Sequence, residues 1–274
     1  MTPPGKVLAD LQLSDPVFVA ETPIAHVWKV KQQNSCDAAL KIYKDRNPKG
    51  EDVGFALMRS LDGHGMAQVL HFAGGVALLE WLDGPTLGDL SRGGQDDVAN
   101  ALLIKVANEI HRAPVTLPLT HLADQFSALR TLRPDPTWPE QVRENIRKAR
   151  EITSGLLEKQ FEIRSLHGDL HHDNIIKTPD GCRAIDPKGL IGDRAYDLAN
   201  AFKNPVGARD IYLDPARAKE LADRWAAQWQ TTPERLLGWA VAHCALSITW
   251  AMAFDDPDET AMLAILLDHY DMTT

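Results

Sequence analysis

Leu166–Asn174 reads LHGDLHHDN, and eleven residues later Ile185–Gly189 reads IDPKG. The first stretch sets a carboxylate, Asp169, five positions ahead of a carboxamide, Asn174, and the second supplies another carboxylate, Asp186, after a short apolar segment. The three side chains offer different chemistry. A carboxylate accepts a proton or binds a cation, whereas an amide oxygen ligates a cation without adding charge. Two separate segments must be brought to one point for the set to act together, so the same residues bear on fold and on function.

Phosphoryl transfer asks little covalent work of a protein and much positioning. One ionised carboxylate must reach the acceptor hydroxyl, and oxygen ligands must hold Mg2+ against ATP. Asp169 suits the first role as catalytic base, and Asn174 with Asp186 suits the second. A rival reading exists at the same place, because His167, Asp169, His171, His172 and Asp173 form a dense cluster of the kind that ligates zinc or a metal pair. A hydrolase of that type needs further ligands from elsewhere, yet His26, His64, His71, His111, His121, His243 and His269 are scattered singly. It also gives no reason for the apolar hairpin that leads to Asp186.

Composition narrows the class. The chain has 274 residues, 44% of them hydrophobic and 24% charged, which is ordinary for a globular protein of one or two domains with a sizeable core. Apolar runs such as Val76–Leu79 and Ala261–Leu267 are far too short to span a bilayer, and the opening MTPPGKVLADLQLSD lacks a basic segment followed by an apolar one. No membrane partner and a cytoplasmic location are the expectations. Cys36, Cys182 and Cys244 are widely spaced and odd in number, so they read as reduced and structural. The net charge of -9 argues against nucleic acid as the main partner and is compatible with a cationic small molecule.

The first eighty residues read as a strand-rich lobe. Val17–Glu21, His26–Gln32, Ala38–Tyr43, Gln68–Phe72 and Val76–Leu82 are rich in β-branched and aromatic residues bounded by turn formers. One helix, Glu51–Leu61, interrupts them with Phe55, Met58 and Leu61 on its buried side, and Gly63 and Gly65 end it. Beyond Asp83 and Gly84 the pattern becomes helical, with helices over Asp96–Ala113, His121–Leu132 and Trp138–Phe161. Asp214-Pro215, Thr232-Pro233 and Asp256-Pro257 each pair an N-cap residue with Pro at the first helical position, and Asp256 with Glu259 has capping-box spacing. Trp225, Trp229, Trp239 and Trp250 recur at helical spacings and read as core, Trp239 sharing a stripe with His243, Leu246 and Trp250. Neither an internal repeat nor a low-complexity segment is present. The expected architecture is α+β, with a small antiparallel sheet lobe over residues 1–82 and a larger helical lobe over residues 83–274.

A nucleotide site makes further demands on the first lobe. It needs a lysine on the third strand for the phosphates, an acidic partner on the next helix and a hinge whose backbone pairs with adenine. Lys41 in AALKIY meets the first demand. Glu51, with Asp52 second, is the expected acidic partner, and Glu80, Trp81 and Leu82 form the expected hinge. The turn Thr22–His26 contains no glycine, so the GxGxxG loop of protein kinases is absent.

HGDLHHDN with IDPKGLIGDRAYDLAN, the VWKV strand, the ALKIY lysine and the LLEWL hinge together resemble the aminoglycoside phosphotransferases, most closely the branch of streptomycin 6-phosphotransferases and hydroxyurea phosphotransferases. The similarity runs from about Val17 to the last helix. It implies a protein-kinase-like two-lobed fold, ATP and Mg2+ as cosubstrates, Asp169 as catalytic base, Asn174 and Asp186 as metal ligands, Lys41 on the nucleotide phosphates, and antibiotic resistance as the role of the branch. His167 is expected to pack behind the catalytic loop, and Asp197 and Asp193 to brace it by accepting backbone hydrogen bonds. Lys188 has no assigned role. The acceptor expected is a small polyhydroxylated compound of the aminoglycoside class. If it is cationic, acids beside the Trp250 helix would line its site, with Asp255 the first candidate. A sugar or amino-alcohol kinase and a nonenzymatic nucleotide-binding module are the alternatives.

Overall fold

The computed structural model describes residues 1–45 and 50–273. Its first sheet contains β1 (Ser14–Glu21), β2 (Ala25–Lys31), β3 (Asp37–Tyr43), β4 (Val69–Ala73) and β5 (Val76–Glu80), all antiparallel in the order β1-β2-β3-β5-β4. Strand side chains alternate between faces. Trp28, Val30, Ala38, Leu40 and Leu78 gather with Leu13 on one face, covered by Val7 and Leu8 of the short helix α1 (Gly5–Asp10). The alternate residues of β3, Ala39, Lys41 and Tyr43, therefore face the other way. There Tyr43, Ala77 and Leu79 join Phe55, Leu57, Met58 and Leu61 of helix α2 (Glu51–Leu61) in the main core. Phe55 stacks on Phe72 of β4 with ring centroids 3.9 Å apart. Helix α2 has the expected bounds, but Asp62 ends it. That residue adopts a left-handed conformation, φ 44°, and its N–H reaches Met58 O, one position ahead of Gly63.

The second lobe contains α3 (Leu87–Arg92), α4 (Asp96–Ile110), β6 (Thr120–His121), α5 (Leu122–Gln125), α6 (Ser127–Thr131) and α7 (Glu140–Glu158). Then come β7 (Ile163–Leu166), the hairpin β8 (Ile175–Thr178) and β9 (Gly181–Ala184), β10 (Leu190–Asp193), and the helices α8 (Arg209–Tyr212), α9 (Pro215–Trp229), α10 (Pro233–Ala251) and α11 (Pro257–Thr273). A 3-10 helix, Arg194–Lys203, follows β10. Strands β6, β10 and β7 form a small sheet in that order. Helix α10 is buried on nearly every side and packs against α7, α9, α11 and the 3-10 helix, as a helix apolar all round should.

Three expectations need correction. The helix foreseen over 121–132 is interrupted, because Phe126 turns its fully buried ring into the core between α5 and α6. Trp225, Trp229 and Trp239 are core residues, but Trp250 is 54% exposed, on the solvent side of the last turn of α10 just before Met252 ends the helix in a left-handed conformation. The three cysteines carry free thiols, but only Cys244 is buried; Cys36 is exposed. Among the described residues no helix is long and apolar enough to cross a membrane.

Candidate active site

The catalytic segment leaves β7 at Leu166 and turns sharply. Gly168 has φ 83°, and a Cβ there would lie 2.7 Å from Cγ of Leu190, so only glycine fits between the loop and β10. The loop is held from behind. Asp197, on the 3-10 helix, accepts the backbone N–H groups of His167 at 2.9 Å and of Gly168 at 2.8 Å, and lies 2.9 Å from Nε2 of His111. His167 is fully buried, its Nδ1 accepting from Asp169 N at 3.2 Å and its Nε2 donating to Ile185 O at 2.9 Å. Burial holds its imidazole neutral, with a pKa below the ordinary value. Both residues thus brace the loop as the sequence suggested. Asp193 does not: its carboxylate accepts from Phe161 N and Ala195 N and pairs with Arg235, which anchors the strand end instead.

The same bracing joins the two motifs. Ile185 N donates to Asn174 O at 2.9 Å, and Lys188 N to His167 O at 2.7 Å. Asn174 Nδ2 donates to Asp169 O at 3.0 Å, which leaves its Oδ1 without a hydrogen bond to another described residue. Asp186 takes a left-handed backbone, φ 58°, and its carboxylate meets Lys41 Nζ at 2.7 Å. The lysine side chain is 7% exposed and the aspartate 46%, so the cation is sealed in the sheet while the acid opens toward the cleft.

Glu51 departs from expectation. Its Oε2 accepts from Tyr43 OH at 2.5 Å, so the acid on α2 is occupied by the tyrosine two residues beyond Lys41, and Asp186 is the carboxylate on the lysine. Burial and Glu51 together push the Tyr43 phenol above its ordinary pKa. In the segment expected to form the hinge, Glu80 binds the Gln68 N–H at 2.8 Å and lies 3.4 Å from Arg183, while Lys29 sits over the Trp81 ring at 4.6 Å. Leu82 packs against the main core. The turn between β1 and β2 is closed by Thr22, whose N–H and hydroxyl bind Ala25 O and whose Oγ1 accepts from Ala25 N at 2.9 Å.

The imidazoles of the His/Asp cluster are committed elsewhere. His172 Nε2 lies 2.9 Å from Asn100 Oδ1, and His171 Nδ1 accepts from Asp173 N at 3.3 Å. Burial lowers the pKa of both. Among the described residues no group of three or more His, Cys, Asp or Glu side chains is placed to hold a metal. Two oxygen side chains, Asn174 and Asp186, fit Mg2+, which takes one or two protein ligands and completes its octahedron with water and phosphate.

A cavity of 160 Å³ lies beside the loop, lined by Lys203, Asn204, Tyr212, Asp258, Glu259 and Met262 among others. Lys203 binds Ser247 Oγ at 2.7 Å and both Glu259 oxygens at 2.8 Å, and Arg209 pairs with Asp258 at 3.1 Å. Asp255 does not line it; the side chain is exposed. Sequence reasoning also missed Asn200, whose Nδ2 donates to Asp169 Oδ1 at 2.7 Å, and Arg92, which clamps Asp173 at 2.7 Å and Val206 O at 3.0 Å. The three-residue spacing puts Asn200 on the face of the 3-10 helix that carries Asp197, but does not reveal which residue it meets.

A lysine-bearing antiparallel sheet over a helical lobe, with an Asp-Asn-Asp set at the junction, defines a small-molecule kinase of the protein-kinase-like fold. The chain belongs to the aminoglycoside/hydroxyurea antibiotic resistance kinase family, whose model matches residues 11–254. It is 34% identical to the streptomycin 3''-kinase of Klebsiella pneumoniae over 229 residues, 80% of this chain and 81% of that protein. With the streptomycin 6-kinase of Streptomyces griseus it shares 28% over 233 residues, 82% and 74% of the two chains. The fold matches that of a thermostable aminoglycoside phosphotransferase APH(4)-Ia variant, solved with AMP-PNP and hygromycin B, at a TM-score of 0.66 and 15% identity, covering 97% of this chain and 98% of the other.

Proposed function

We propose that the protein transfers the γ-phosphoryl group of ATP to a hydroxyl of an aminoglycoside-class acceptor, with Mg2+ held by Asn174 and Asp186. The observation that carries this reading is the contact of Lys41 with Asp186, which joins the β3 lysine to the acid after β9, whose neighbour Ile185 is hydrogen-bonded to Asn174. Asp169 accepts the hydroxyl proton as the acceptor oxygen forms its bond to phosphorus and the bond to the ADP oxygen breaks. Lys41 neutralises phosphate charge, and the backbone of Trp81 and Leu82 orients adenine. Mg2+, when bound, supplies charge neutralisation on the phosphate oxygens.

The acceptor class rests on the relatives and on the cavity that carries Asp258 and Glu259. At 160 Å³ that cavity takes part of an aminocyclitol, and the rest would lie in the open cleft. One observation favours a second reading. Both acids already hold cations, Lys203 and Arg209, which suits a neutral sugar.

An ADP-release screen over streptomycin, other aminoglycosides, amino alcohols and neutral sugars separates the two. Turnover of streptomycin with Mg2+-ATP is the expected result; turnover confined to neutral sugars establishes the second reading. Asp169→Asn should keep ATP affinity and lower kcat by about 10²- to 10⁴-fold, the usual worth of a positioned base. A variant that keeps more than about a tenth of wild-type turnover, with chemistry rate-limiting, removes Asp169 from that role.

A further inference from the structure

We propose that Asn200 is a positioning residue for Asp169, its amide orientation set in turn by Asn204 in the wall of the acceptor cavity. The inference rests on the assignment of Asp169 as base. Asn200 and Asn204 are 8% and 4% exposed, and buried amides are costly unless each finds a partner. Asn204 Nδ2 donates to Asn200 O at 2.8 Å and to Asn200 Oδ1 at 3.0 Å. A backbone carbonyl can only accept, so the group on it is the Asn204 NH2, and its second hydrogen demands an oxygen at Asn200 Oδ1. The Asn200 NH2 is thereby forced toward Asp169, where it donates to Oδ1 at 2.7 Å. One carboxylate oxygen of Asp169 is tied down. The other has no hydrogen bond among the described residues and remains for the acceptor hydroxyl.

The 3-10 helix makes this possible. With three residues per turn, positions three apart eclipse one another. Asp197, Asn200 and Lys203 therefore lie along one face of Arg194–Lys203. The first holds the loop backbone at His167 and Gly168, the second holds the base side chain, and the third enters the cavity. An acceptor that seats against Asn204 reaches the base through two fixed amides.

The test compares Asn200→Asp, Asn200→Ala and Asn204→Ala in full-length enzyme, with thermal unfolding as a check on the fold. Asn200→Asp keeps the shape and the Asn204 contact but replaces the donor with an acceptor, so kcat should fall about 10- to 100-fold with ATP KM unchanged within about twofold. Asn204→Ala should cost less, because it only frees the Asn200 amide to flip. In an Asp169→Asn background the Asn200 substitutions should cost nothing more, since there is no base left to position. Hydrolysis of ATP without acceptor, water standing in for the hydroxyl, gives the same comparison if the acceptor is not yet identified. Full kcat in folded Asn200→Asp, or a loss that persists in the Asp169→Asn background, overturns the proposal. Retained activity in Asp169→Asn alone overturns instead the assignment of the base.

Discussion

Lys41 and Asp186 meet at 2.7 Å although 145 residues separate them in the chain, and the contact explains why Glu51 is not where the sequence placed it. A buried ammonium needs a carboxylate within reach; Asp186 meets that need, and Glu51 is left to accept from Tyr43. The acids near the cavity lined by Lys203 and Asn204 follow similar logic. Asp256 is used as the helix cap, accepting from Asp258 N and Glu259 N at 2.9 and 3.1 Å, and Glu259 turns to Lys203 rather than closing the capping box. Asp255 and Asp258 are thus separated by a single turn that points one to solvent and the other to the cavity. For a cationic acceptor, Asp258→Asn should raise acceptor KM by about tenfold, the worth of one hydrogen bond to a charged group, and Asp255→Asn by less than about twofold. Equal effects of the two in steady-state kinetics would defeat the charge-complementarity argument.

At the level of elements, the anchor of the Asp186 segment is helix α2. A Cβ at Gly54 would lie 2.2 Å from Pro187 O, so the helix backbone rests directly on the DPK segment. Gly54→Ala must push α2 or Pro187 aside, an overpacking cost of about 1–3 kcal/mol, and the displacement acts on Asp186. The expected outcome is a lower thermal midpoint together with loss of nucleotide affinity; unchanged affinity in a titration with an ATP analogue would show that the helix yields instead. Sequence reading did well on elements whose signals are local. The three proline-marked helix starts are real, Asp214 and Thr232 accepting from Ala216 N and Arg235 N. It failed at residues 121–132, where burial of Phe126 outweighs helix propensity, and at Trp250, where the periodic stripe continues past the end of the packing.

Across the whole molecule, the sheet lobe and the helical lobe share one continuous hydrophobic core, and the Lys41–Asp186 contact spans the cleft between them. A nucleotide that binds both sides should stabilise the fold by mass action, about 2.7 kcal/mol at a hundredfold excess over Kd, which is about 5 °C in Tm for a chain of this size. Asp186→Ala should abolish that Mg2+-dependent shift while zinc chelation of the wild type changes nothing. A variant that keeps the full shift in differential scanning fluorimetry removes Asp186 from the metal site.

What the chain determined by itself was the chemistry: the Asp169, Asn174, Asp186 and Lys41 set, the two-lobed division and the capped helices are written in residue type and short spacing, where local sterics and hydrogen bonding decide the outcome. Tertiary structure decided the partners. Whether Lys41 meets Glu51 or Asp186, whether Asp255 or Asp258 reaches the cavity, and whether Asn200 touches the base depend on distances between segments far apart in sequence. Those distances are set by how helices and sheets pack, and no local pattern encodes them.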